Sequence, residues 1–202
     1  MKRTSHLIIG IFTGILFLIT FNLSAFSYNC NEIRSNVIRL HVIANSDSET
    51  DQNIKLKVRD AVLQGSADIF DGSTTIDNAV DKIVPNIDTI ITTAEKVIKI
   101  NEKTYSATAE LTTEYFDTRV YDNNITLPAG KYLALKIVLG EGKGQNWWCI
   151  MFPALCLPAV TENSDINMAF SDIQTKIIAN DGRYRIKFKI VEILEKIKEG
   201  DI

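Results

Sequence analysis

Residues 4–31 contain no Asp, Glu, Lys or Arg, and residues 7–26 are dominated by Ile, Leu and Phe, with Lys2 and Arg3 just ahead of them. About 20 apolar residues make a helix roughly 30 Å long, the thickness of a bilayer's hydrocarbon core. Basic residues at the leading end stay in the cytoplasm, because carrying Lys and Arg across the bilayer is costly. The segment is therefore expected to engage the Sec machinery or the membrane and to leave everything after about residue 28 outside. Ala25-Phe26-Ser27 places small residues where a signal peptidase reads them, and Asn22 weakens the run as a span, so a cleaved signal peptide and a retained anchor both fit. A lipoprotein anchor on Cys30 does not, because Ser27-Tyr28-Asn29 lacks the apolar residue a lipobox needs upstream.

Taking Lys2 and Arg3 from the 22 basic residues leaves 20 against 25 acids, a net charge of −5 for the exported part. That balance argues against nucleic acid, whose phosphates draw a basic surplus. Two His, three Cys and the absence of C-x-x-C and H-E-x-x-H argue against a metal centre. No cofactor is expected.

The exported part reads as alternating short elements. Residues 37–44 alternate as a strand with Ile38, Leu40 and Val42 on its dry side and His41 pointing away. Asn45-Ser46-Asp47-Ser48-Glu49 is a turn whose Ser46 and Glu49 fit a capping box, followed by a helix carrying Ile54, Val58 and Val62. A second helical stretch from Gly72-Ser73-Thr74 to about Val97 holds Pro85, which predicts a break near Val84. Residues 104–115 alternate as a strand with one wet face, pairing antiparallel to its neighbour. Strands over 132–139 and 147–152 flank the loop Gly140-Glu141-Gly142-Lys143-Gly144-Gln145-Asn146. Turns are expected at 122–124 and 128–130, and a polar helix over 165–179. The stretch 184–198 fits helix and strand periods alike, with helix expected from about Val191. The expected fold is α+β: a hydrophobic segment over 1–27, then one domain over 31–202 with helices packed on one face of a mostly antiparallel sheet.

The glycine loop fails the spacing of phosphate-binding motifs and reads as a mobile connection in which glycine relieves backbone strain. Its neighbours Trp147 and Trp148 have the bulk of recognition residues. Cys149 with His41 could make a thiol nucleophile and its base, oriented by Asp47. A Cys149–Cys156 disulfide or two buried thiols explain the same cysteines without chemistry. His41 with Arg39, Asn45, Asp47 and Asp51 is either an acid/base cluster or a hydrogen-bonded turn and helix cap.

Two blocks are more specific. The first is the run from Ile38 through Ser48 with Asp51-Gln52 and Lys55-Leu56-Lys57-Val58-Arg59-Asp60. The second is Leu127-Pro128-Ala129-Gly130 and the run from Gly140 to Cys149, with Phe152-Pro153 and Leu155-Cys156. Together they resemble the stage II sporulation protein R family of endospore-forming bacteria, over about residues 36–156 and again over 185–192. The chain departs from that pattern at Gln145, where histidine is common, and at Ala154, where proline is common. The resemblance implies a signalling protein rather than an enzyme. It would be made in the forespore, exported into the space towards the mother cell, and needed there by the membrane-embedded aspartic protease that processes pro-sigma-E. On that reading the partner-binding candidates are Arg39, His41, Asn45, Asp47 and Asp51 in the turn, and Glu141, Lys143, Asn146, Trp147 and Trp148 in the loop. The competing expectation is an exported hydrolase using His41 with Cys149 or Asp47.

Overall fold

In the computed structural model the described residues are 2–70, 73, 75–121, 125–153, 170–179 and 182–200. The expected turn at 122–124, the start of the expected helix at 165–169, Ala154 and Cys156 lie outside them. The apolar segment is the first part of helix α1 (Lys2–Ser35), and three residues later strand β1 (Ile38–Ile43) begins. Helix α2 (Glu49–Phe70) follows the turn. Its cap is Ser48, whose Oγ accepts from Asp51 N at 3.2 Å, and Ser46 instead bonds the Asp51 carboxylate at 2.6 Å. Thr75 caps α3 (Ile76–Ile83), and Pro85 forms a single 3₁₀ turn, Val84–Asn86, before α4 (Ile87–Ile100). The break falls where a ring without an N–H cannot continue the ladder.

Strands β2 (Ala107–Phe116), β5 (Gly130–Leu139) and β6 (Asn146–Phe152) join β1 in a four-stranded sheet of order β2-β5-β1-β6. Two short strands, β3 (Arg119–Val120) and β4 (Thr126–Leu127), pair beside it. β2 and β6 run antiparallel to their neighbours, while β1 and β5 are parallel, so the sheet is mixed with an antiparallel majority. The parallel pair β1–β5 needs a long crossover, and α2–α4 with β2 supply it. The face that α2–α4 cover is the larger core: Leu40, Val42, Leu135, Ile137 and Met151 against Ile54, Val58, Ile83, Ala94 and Ile98.

The helices are not confined to that face. The tail forms α5 (Asp172–Ile178), closed by a Ser171–Gln174 capping box, and α6 (Arg185–Glu199), which is helical from residue 185 rather than from 191. With the last turns of α1 they cover one end of the second face. There Val37, Phe116, Tyr132, Ala134 and Ile150 are apolar and meet Phe26, Cys30, Ile33, Ile177, Phe188 and Val191. The other end of that face carries His41, itself buried, and the half-buried Glu114, Lys136 and Trp148, with Glu114 pairing both His41 and Lys136. The apolar second layer lies at the opposite end.

Candidate functional site

Successive strand residues point to opposite faces, and β6 pairs with β1 in the register Leu40↔Cys149, His41↔Trp148, Val42↔Trp147. This alternation sorts the candidates. Cys149 and Trp147 face the α2–α4 side, with Cys149 in the larger core and Trp147 beneath the Arg59 guanidinium at 4.4 Å. His41 and Trp148 face the half-uncovered side, their rings 5.6 Å apart. Cys149 and His41 therefore lie on opposite faces of one sheet and form no nucleophile–base pair. Cys149 is buried, and its pairing with Cys156 falls outside the described residues.

On the open side, His41 Nδ1 lies 2.6 Å from Glu114 Oε2 and Nε2 lies 2.9 Å from Asn146 Oδ1. Lys136 reaches the other Glu114 oxygen at 3.1 Å. The carboxylate at the imidazole is Glu114 on β2, not Asp47. A carboxylate on Nδ1 and an amide on Nε2 fix the orientation of the ring, an arrangement that structural and catalytic imidazoles share. The Arg119 guanidinium stacks on Trp148 at 4.6 Å and stiffens the indole. Arg39 lies fully buried beneath, its guanidinium 4.2 Å from the Phe116 ring and 5.1 Å from that of Tyr132. It donates to Cys149 O at 3.3 Å and to the Tyr121 hydroxyl at 2.5 Å, and its Nη1 has no partner among the described residues.

The turn and the glycine loop form a second, interlocked unit. Lys143 N and Gly144 N donate to Asn45 O and Ala44 O, Glu141 N to Asn45 Oδ1 at 2.9 Å, and Gln145 N to Asp47 Oδ1 at 2.8 Å. Lys55 Nζ adds a bond to Gln145 O at 3.0 Å. The loop is fastened, not a slack connection, and its glycines serve that fastening. A Cβ on Gly144 would stand 2.3 Å from Ser46 O, and one on Gly140, at φ +55°, 2.1 Å from Asn45 Oδ1. Asp51 braces the unit from below, accepting from Asn45, Ser46 and the Tyr105 hydroxyl. Burial pushes its carboxyl up, but the three hydrogen bonds outweigh that and hold it below the usual carboxylate range. Burial and the bond to Asp51 raise the Tyr105 phenol. At the exposed tip Lys143 and Glu141 pair with each other at 2.7 Å, which lowers the Glu141 carboxyl.

The structure thus brings His41, Asn146 and Trp148 together on the open face, over Arg39. It places Asn45, Asp47 and Asp51 in the turn–loop unit, sends Glu141 and Lys143 to the tip, and puts Trp147 on the far face. Sequence reasoning missed Glu114, Lys136 and Arg119. Glu114 showed only as one member of a wet strand face, and nothing short of the strand order could set it beside His41. Among the described residues no three His, Cys, Asp or Glu groups converge as a metal site.

These features define a class: an α+β domain carried on an apolar N-terminal helix, with a rigid polar and aromatic patch on a half-covered sheet. Residues 34–162 match the family described as Stage II sporulation protein R, and the chain belongs to that family. It is 36% identical over 124 residues to the Stage II sporulation protein R of Bacillus subtilis (strain 168), an alignment covering 61% of this chain and 55% of the relative. The chain thus spans about half the length of the curated relative it matches. No solved structure matches.

Proposed function

We propose that the exported domain acts in the space between forespore and mother cell, where it binds the extracytoplasmic face of the membrane-embedded aspartic protease that processes pro-sigma-E and shifts it towards its active state. The shift requires only tighter binding to the active state than to the inactive one, about 100-fold for roughly 2.7 kcal/mol of bias. The observation that carries the reading is the family membership of residues 34–162. What supports contact is that Cys149 lies across the sheet from His41, and that Trp148 is held against the Arg119 guanidinium next to the His41 ring. A pre-organised aromatic with adjacent charge is the usual anchor of an interface.

The test is complementation of a sporulating strain that lacks its own copy, using the full chain with Trp148→Ala, Lys136→Glu or Arg119→Ala. Pro-sigma-E conversion is followed by immunoblot, and the full chain is co-purified with the protease in mild detergent. Conversion and co-purification should fall together while export and protein level hold. Normal conversion in all three variants would remove the open face from the mechanism, and loss of conversion with undiminished co-purification would favour chemistry over contact.

A further inference from the structure

Helix α1 is unbroken from Lys2 to Ser35, about 51 Å by its rise. Its early turns leave Leu7, Phe12, Phe17 and Phe21 open, and it is long and apolar enough to cross a membrane. Its last turns are core. Phe26, Cys30 and Ile33 are buried, and the Phe26 ring sits 5.5 Å from Tyr184 and 5.2 Å from Phe188. Arg34 donates to Ala129 O at 2.6 Å. A peptidase reads its site as an extended strand, whereas Ala25-Phe26-Ser27 lies inside a helix, and cutting after Ser27 would take Phe26 out of the second core.

At the same junction, α1 and the start of α6 enclose a cleft of about 380 Å³ lined by Ile15, Leu18, Ile19, Leu23 and Ile190, together with Asn22 and Lys187. Lys187 Nζ donates to Asn22 Oδ1 at 3.1 Å and has no carboxylate partner among the described residues. Ile186 beside it is 77% exposed. An apolar cleft continuous with a spanning helix, and at its rim an ammonium bonded to Asn22 and set 5.5 Å from the Phe26 ring and 5.7 Å from that of Tyr184, fit acyl chains and a headgroup phosphate.

We propose that α1 stays on the mature protein as a membrane anchor and that the α1–α6 cleft seats the domain on the anionic phospholipid bilayer, with acyl chains against Ile186 and Ile190 and Lys187 at the phosphates. Only Asn36 and Val37 separate α1 from β1, so the domain stands on its anchor without a flexible tether and the open sheet face is held at a fixed height, whatever partner meets it.

The test uses the full chain. The intact mass of the membrane-fraction protein should include residues 1–27. A genetically encoded photoreactive residue at position 186, an exposed site, should cross-link to lipid in vesicles of phosphatidylethanolamine with phosphatidylglycerol, while the same residue at position 112 on the open sheet should not. Adding Lys187→Glu should cut the position-186 yield roughly fivefold in the anionic vesicles and leave it unchanged in phosphatidylcholine. A mature chain beginning after residue 27, lipid adducts at 186 no more frequent than at 112, or a Lys187→Glu yield equal to that of the unaltered lysine each overturns the proposal.

Discussion

Asp51 shows how one residue serves both the fold and the site. Its carboxylate takes three side-chain donors from the turn and from Tyr105, so Asp51→Ala leaves Asn45, Ser46 and Tyr105 without their acceptor in a half-buried place. The expected cost is about 2–3 kcal/mol, read as a lower urea midpoint at neutral pH. The pH dependence has a definite sign. The folded carboxyl is held below the usual aspartate range by its hydrogen bonds, so the unfolded chain takes up the proton first as pH falls. The stabilisation is complete above the unfolded value, near 3.9, and is lost as pH drops through the lower folded value. The gap between wild type and Asp51→Asn should therefore be full at pH 7 and shrink below about pH 4; a gap that stays constant down to pH 3 would remove Asp51 as the brace.

At the scale of elements, what the sequence revealed depended on whether one period dominated. β2 and β5 alternate because one side is drier than the other, β1 alternates in polarity although both its sides are buried, with Arg39 and His41 bonded to partners on the second face, and the α3–α4 break announces itself through Pro85. α6 resisted because it is apolar on two sides: Phe188 and Val191 face the second core, while Ile186, Ile193 and Ile197 face outward. Two stripes on one helix blur the 3.6-residue signal and leave an alternation at 184–190 that imitates a strand. The second helical layer was hidden for the same reason, since its strand residues Tyr132, Ala134 and Ile150 share a face with Lys136 and Trp148. Of the site, the turn and loop were legible as polar blocks, but their interlock was not, because backbone bonds between residues about a hundred positions apart leave no local pattern. The inward stripe of α6 is the one that stabilises. Phe188→Ala should cost about 3–5 kcal/mol and Ile197→Ala no more than about 0.5 kcal/mol, compared by urea titration of the full chain in mild non-ionic detergent; equal costs would mean that the helix packs through its other face.

Among the described residues the four-stranded sheet has a core on each side, and the two cores depend on different parts of the chain. The larger is closed by α2, α3 and α4, all encoded between β1 and β2. The smaller needs both ends of the chain, since Phe26, Cys30 and Ile33 of α1 pack against Phe188 and Val191 of α6. Removing residues 1–30 therefore deletes Phe26 and Cys30 from the smaller core while leaving every residue of the larger one in place. A chain beginning at residue 24 keeps all three α1 residues and serves as the control. The truncation at 30 should lose about 3–5 kcal/mol, the range for emptying a buried phenylalanine site, and the loss should be local. Amides of α6 and of the Tyr132 end of β5 should exchange faster with solvent, and those of α4 and the centre of β1 should stay protected until global unfolding. Uniform loss of protection across both faces would mean that the cores unfold as one unit. Protection unchanged in α6 would mean that the end of α1 adds nothing to the second core.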